Sequence, residues 1–234
     1  MKPRTVKPRT VVVLQPGYLP WLGFFDQVRE ADVFIYYDDV QYDKHGWRNR
    51  NRVKGPDGPV WLTVPVRTHG LARPRVCEVE IDGARWARQH VGTLRHCYAR
   101  AACARPYLDE LEELLMRPWR LLVELDVAAV ALACRWLGLE REMVRSSALG
   151  VEGERSERLV ALCGRVGAAR YFSGAAARDY LDLGAFARAG VAVEFQEYRH
   201  PVYPQRFGAF VPYLSVVDLV LNAGAVSRSV LGIG

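Results

Sequence analysis

The sequence predicts an α/β protein: a mostly parallel sheet with a helical insert at about 84–140. Three features predict it. A strand, a turn, a helix and a second strand follow one another within the first 37 residues, which makes a βαβ unit with a right-handed crossover. Short strands and helices alternate again after residue 140, the pattern of a parallel α/β chain. Between these stretches, residues 84–137 switch to a helical apolar period. The chain has 234 residues, 50% of them hydrophobic, which is enough for a substantial core. With 25% charged and 11% aromatic residues it has the composition of a folded protein. The expected organisation is a disordered tail at residues 1–9 and one domain over 10–234 that carries the insert.

Each element has its own reason. Residues 10–14 (TVVVL) are a β-branched run that breaks at Gln15-Pro16-Gly17, a strand ending in a sharp turn. From Trp21 to Arg29 apolar side chains fall at 21, 22, 24, 25 and 28, a helical stripe. Ala31 to Tyr37 is β-branched and aromatic, a buried strand. Residues 38–51 are polar and aromatic and read as a loop, and 52–58 contain the turn signal Pro-Asp-Gly. Val60 to Val66 reads as a strand whose proline marks an edge or a bulge. Val76 to Ile81 alternates like a strand. Three helices follow in the insert, with Pro106 and Pro118 near the starts of the second and third, where proline is tolerated. Beyond 140 the pattern gives a strand at 143–145, a helix at 156–166, a strand at 169–173, a short helix at 175–181, a strand at 191–198 and a helix at 215–222.

Composition narrows the chemistry. The net charge is +6, and of 32 basic residues only Lys2, Lys7, Lys44 and Lys54 are lysine. Coding bias and an anionic ligand both account for such arginine use, since the guanidinium fork matches phosphate and carboxylate. The arginines are interleaved with Asp and Glu along the chain, whereas a nucleic-acid surface concentrates them. No apolar run reaches the roughly 18 residues of a membrane span, and the run Val11–Leu14 is too short for a signal-peptide core. A cytoplasmic protein is expected. The five cysteines (Cys77, Cys97, Cys103, Cys134, Cys163) include no CxxC pair and predict buried thiols. His90, His96, Cys97 and Cys103 lie close together, but their spacing matches no zinc ligand set and no metal site is expected. GxSxG, GxxxxGKS, GxGxxG and HExxH motifs are absent, which removes serine hydrolases, P-loop kinases, dinucleotide enzymes of the usual type and zinc proteases.

Three polar clusters fall at predicted strand ends, where open α/β sheets bind ligands. The first is Gln15 to Trp21, a turn facing a helix N-terminus, with Gln15, Tyr18 and Trp21 as binding candidates. The second spans 38–51: Asp39 is suited to accepting a proton or binding a metal, Arg48 or Arg50 to an anionic group, and Gln41, Lys44, His45, Trp47, Asn49 and Asn51 complete a polar set. The third is Tyr198 to Gln205, where His200 is the best general acid/base candidate by type, flanked by Tyr203 and Gln205. His200, Asp39 and Tyr203 are thus the catalytic candidates. Ser173, before Gly174 at the end of a predicted strand, is a further binding candidate, and Ser215, Asp218 and Asn222 share one helical face.

These clusters occur together in a known family. The stretches LQPGYLPWLGFFDQVREADVFIYYDDVQYDKHGWRNRNRV (14–53), WLTVPV (61–66), RYFSGAAARDYLD (170–182) and EFQEYRHPVYPQRFGAFVPYLSVVDLVLNAG (194–224) resemble the WbqC-like proteins of bacteria. The family pattern falls on Gln15, Pro16, Tyr18, Pro20, Trp21, Asp39, Gln41, Trp47, Asn49, Arg50, Asn51, Ser173, Gly174, His200, Pro201, Tyr203, Gln205, Asp218 and Asn222; at position 14 many members carry histidine where this chain has leucine. The resemblance implies a role in surface-polysaccharide (O-antigen) or specialised-metabolite biosynthesis. The opening, strand then Tyr18-Leu19-Pro20-Trp21 then helix, is also similar to nucleotidylyltransferases, with Tyr18 and Trp21 in place of the two histidines of their HxGH turn. That likeness implies a Rossmann-like layout without the phosphate chemistry.

Two classes of function follow. The leading one is a transferase or ligase acting on an amino sugar or another small amine, with an anionic or nucleotide-linked substrate; no cofactor is assigned. The other is a non-catalytic protein that binds an intermediate or a pathway enzyme. A homo-oligomer or a pathway-enzyme partner is compatible with both, and a nucleic-acid partner is not expected.

Overall fold

The structure, a computed structural model, describes residues 8–44, 46–70 and 72–233. Most of the expected tail and His45 lie outside the described residues. In chain order the elements are β1 (Thr10–Leu14), α1 (Leu22–Glu30), β2 (Val33–Tyr36), β3 (Arg50–Gly55), β4 (Gly58–Thr63), β5 (Val66–Arg67), β6 (Glu80–Ile81), α2 (Arg85–Tyr98), α3 (Ala104–Leu115), α4 (Leu122–Leu137), β7 (Glu142–Arg145), α5 (Ser146–Leu149), α6 (Arg155–Arg165), β8 (Arg170–Ser173), α7 (Leu183–Arg188), β9 (Ala192–Phe195), α8 (Val216–Ala223) and α9 (Ser227–Val230). The α/β prediction is met: five strands form one sheet in the order β7-β2-β1-β8-β9, and every pair in it is parallel. No helix of the described residues is long and apolar enough to cross a membrane.

The chain divides into two compact units. The first comprises the residues up to Gln15, Gln27–Tyr37 and Arg141–Tyr198, and holds the whole parallel sheet. Strands β1 and β2 are almost wholly apolar because both faces of a parallel sheet are covered. On one side Val11, Val13, Val33 and Ile35 pack with Leu159 and Leu162 of α6 and Phe186 of α7. Cys163 sits in this core, where burial pushes its thiol up to about 12.

The second unit comprises Pro16–Asp26, Asp38–Glu140 and the chain from Arg199 on. Helix α3 packs against α2, α4 and α8, and β3 rests on α2 and α8. The three helices expected in the insert are present as α2, α3 and α4. Gly138 ends α4 in the left-handed conformation (φ 64°), so that Leu139 N–H bonds the Cys134 carbonyl.

Several boundaries differ from the sequence reading, each for a local reason. Residues 50–55, read as the end of a loop and a turn, form β3, which pairs antiparallel with β4. Its outward residues Arg50 and Arg52 are charged, so the apolar signature of a strand is missing; the indole of Trp61 across the hairpin covers both guanidinium groups instead. The run 60–66 breaks at Pro65, between β4 and β5. Residues 76–81, read as a strand, form a 3₁₀ turn at Val76–Glu78 followed by the two-residue β6. The amides of Val76 and Cys77 bond the carbonyls of Val40 and Asp38, which leaves them no strand partner. Helix α7 was not anticipated; Asp182 caps it, its Oδ1 accepting from Ala185 N–H at 3.1 Å. Asp182→Ala is expected to cost about 1 kcal/mol in urea unfolding, and Asp182→Asn a few tenths.

Candidate functional site

The polar residues of the second unit form two contrasting groups. The first is organised by Asp218, on the first turn of α8 and fully buried. Its carboxylate accepts from Tyr98 OH (2.5 Å), Tyr203 OH (2.7 Å) and Gln205 Nε2 (2.9 Å). Burial lifts its pKa; these three hydrogen bonds and the nearby Lys54 ammonium pull it back. Lys54, itself buried, donates from Nζ to the Ala209 carbonyl (2.5 Å). Gln205 closes the 205–211 loop: Nε2 donates to Val211 O and Oε1 accepts from Val211 N, both at 2.9 Å. Asn222 Oδ1 accepts from Arg206 N–H. Ser215 caps α8, accepting from Val217 N–H.

The same loop holds His200. Its Nδ1 lies 2.9 Å from the Pro201 carbonyl and its Nε2 accepts the Tyr213 N–H at 3.0 Å, which fixes the tautomer with the proton on Nδ1. Desolvation lowers its pKa. Both ring nitrogens are engaged within the loop, and the ring packs edge-on against Phe210 and Tyr213. Tyr203 and Gln205, committed to Asp218, and His200 therefore set the conformation of segment 200–213 in this structure.

The second group surrounds Asp126. This residue lies in the second turn of α4, between Leu125 and Ala129, and is completely buried. Neither carboxylate oxygen has a hydrogen-bond partner among the described residues. Desolvation pushes its pKa well above the usual carboxylate range, against which the Arg48 guanidinium acts. Arg48 is half-buried, donates to the Pro16 carbonyl (3.0 Å) and has its own pKa lowered by desolvation. Tyr18 and Tyr42 both feel the Asp126 charge; burial pushes Tyr42 up to about 12 and Tyr18 well above its ordinary value. The Tyr18 hydroxyl lies 2.9 Å from Nδ1 of His90, and Trp86 packs edge-on against both rings. Desolvation lowers His90 to about 4, so the imidazole is neutral near pH 7.

The turn that carries Tyr18 is strained and pinned. Leu19 has φ 44°, unusual for a branched residue. Asn51 Nδ2 holds the turn by donating to the Leu19 (2.8 Å) and Tyr18 (3.3 Å) carbonyls, while its Oδ1 accepts from Arg52 N–H. The Tyr18 N–H bonds the Arg48 carbonyl at 3.0 Å. Asn49 Nδ2 donates to the Val64 carbonyl, and its buried Oδ1 has no partner among the described residues.

The family model of the WbqC-like protein family matches residues 15–230. The chain belongs to that family. It is also 35% identical over 219 residues to an uncharacterized protein, Rv1507c, of Mycobacterium tuberculosis, covering 93% of this chain and 95% of the relative.

Tyr18, Trp21, Asp39, Gln41, Lys44, Trp47, Asn49, Arg50, Asn51, His200, Tyr203 and Gln205 are in the second unit; Gln15 and Ser173 are in the first. Tyr18 and Asn51 meet in the pinned turn. Trp47 and Trp61 stack (5.4 Å) with Arg50 and Arg52 over them, an exposed aromatic and cationic face. Trp21 packs against Tyr213. Asp39 is half-buried, Lys44 exposed, and Gln41 bridges to Arg75. Asp126 was missed. Its signal was an acid on the apolar stripe of LLVELDVAAVALACRWL, at helical spacing from Leu122, Ala129 and Ala133.

The two pKa shifts predict opposite pH effects. The folded protein holds His90 neutral down to about pH 4, whereas the unfolded chain protonates it near 6.5. Stability therefore rises with pH between about 4 and 6.5, by on the order of 3 kcal/mol from this group. Urea unfolding of wild type and His90→Asn across that range should show the rise in wild type only. Asp126 retains its proton to higher pH than the unfolded chain does, so its cost grows above the ordinary carboxylate value of 3.8. Asp126→Asn is expected to raise the melting temperature at pH 8, a gain that shrinks toward pH 4.

Proposed function

We propose that the protein is a transferase or ligase that acts on a small amine, such as an amino sugar, and that Asp126 receives the amine. The carrying observation is the buried, unpartnered carboxyl of Asp126. A buried polar group without a partner costs about 1–3 kcal/mol, and a cost of this kind is characteristic of ligand sites. Both oxygens of Asp126 are acceptors without donors, the complement of an N–H-bearing group. As an ammonium enters, Asp126 releases its own proton to water; the carboxylate so formed has a raised pKa and takes one proton from the ammonium, a transfer that leaves the charge of the site unchanged. Freed of that proton, the amine nitrogen bonds to the electrophilic centre of an activated donor while the donor's bond to its leaving group breaks; the leaving group carries off the nitrogen's surplus proton, and the carboxyl keeps the first one. Arg48, whose charge opposes the upward shift of Asp126, stabilises the carboxylate form. The resemblance to WbqC-like proteins implies a biosynthetic context.

One observation favours the second reading, binding without chemistry: His200, the strongest base candidate by residue type, has both nitrogens engaged. The test combines binding and turnover. A panel of amino sugars and other small amines, each paired with its N-acetyl derivative, is screened by thermal shift. The amine is expected to stabilise the wild type more than its N-acetyl partner does, and Asp126→Asn to abolish the difference. Equal shifts for both, or an undiminished difference between them in Asp126→Asn, would refute the assignment. Conversion of the stabilising amine by mass spectrometry, with acyl and nucleotide-activated donors supplied, separates enzyme from binding protein.

A further inference from the structure

The first unit contains a separate feature that the Asp126 reading does not use. In its sheet β1 is central: the chain leaves β1 for β2 and β7 on one side and enters β8 and β9 on the other. The direction of winding therefore reverses between β1 and β8, which makes this the switch point where ligands enter open α/β sheets. The register shows the strands parting there. The β1–β8 ladder pairs only Thr10 with Arg170 and Val11 with Tyr171. By contrast β1 pairs with β2 as far as Leu14–Tyr36, and β8 with β9 as far as Ser173–Phe195. The sheet is thus continuous on both sides and split between the carboxyl ends of β1 and β8.

The residues at those ends are polar and uncharged. Gln15 follows β1, Ser173 ends β8 with Gly174 after it, and Gln196 follows β9. Gln27, from α1, reaches them: its Nε2 donates to Gln196 Oε1 (3.2 Å) and lies 3.6 Å from the place a side chain on Gly174 would begin. Gln27 is only 5% exposed, and its Oε1 has no partner among the described residues. A buried amide with one unmet side asks for a donor. No member of this set carries a charge, so neither a phosphate nor an ammonium finds a counter-ion among them. Amides and a hydroxyl donate and accept alike, which suits hydroxyl groups that do the same.

We propose that the first unit, where β1 and β8 part at their carboxyl ends, binds an uncharged, hydroxyl-rich ring, a sugar, through Gln27, Gln15, Ser173 and Gln196. The proposal stands on the first unit alone and holds or fails independently of Asp126.

The experiment measures binding of D-glucose and N-acetylglucosamine to the full chain by saturation-transfer difference NMR, with inorganic phosphate as competitor. At least one sugar is expected to bind. Gln27→Leu should weaken it tenfold or more and Ser173→Ala several-fold, while Asp126→Asn changes it less than twofold and phosphate does not compete. Ser173→Ala, the gentler change, carries the test should Gln27→Leu fail to fold. Absence of sugar binding by wild type, displacement by phosphate, or binding by a folded Ser173→Ala or Gln27→Leu variant within twofold of wild type would overturn the proposal.

Discussion

A carboxylate removed from water must find hydrogen-bond donors or give up its charge, and the second unit is organised around that constraint. At Asp218 the demand is met in full. One side chain gathers Tyr98 from α2 and Tyr203 and Gln205 from the C-terminal loop, with Lys54 of β3 near enough to balance its charge. A helix, a hairpin strand and an irregular segment are tied to α8 by one residue. At Asp126, on another helix of the same unit, the demand is unmet. Two residues of one chemical type thus do opposite things, and only their donors distinguish them.

This contrast explains which parts of the protein are legible from its sequence. β1, α1 and β2 are legible because local pattern and tertiary burial agree: a β-branched run, a helical stripe and a second such run are what a covered parallel pair requires. The loop of β3 and the run 76–81 mislead because their stabilising partners are distant. The charged face of β3 is covered by an indole across the hairpin, and Val76 and Cys77 spend their amides on the chain near residue 40. For the functional residues the sequence discloses chemical type but not commitment. His200, Tyr203 and Gln205 look reactive in isolation, and the groups that occupy them, Tyr213, Asp218 and Val211, lie up to 15 residues away. Asp126 looks like an ordinary helix residue until its phase on the apolar stripe is noticed.

The abundant arginines resolve into classes. Many lie in exposed pairs, such as Arg95 with Glu112, Arg135 with Glu110 and Arg120 with Glu80, each worth little in water. Arg50 and Arg52 lie over indoles, a placement that suits the flat, weakly hydrated guanidinium better than an ammonium. Arg48 alone among these combines partial burial with electrostatic coupling to a buried acid. The net charge is the sum of these unlike roles and says little about any of them.

The division into two units has a consequence for how the protein can be handled. The backbone passes from one unit to the other five times, after Gln15, Asp26, Tyr37, Glu140 and Tyr198. Neither unit is a continuous stretch of polypeptide. The central strand of the sheet is residues 10–14 and its neighbour β8 residues 170–173, so no single truncation yields one unit intact. Dissection of this protein is a matter of point substitutions within the whole chain rather than of fragments.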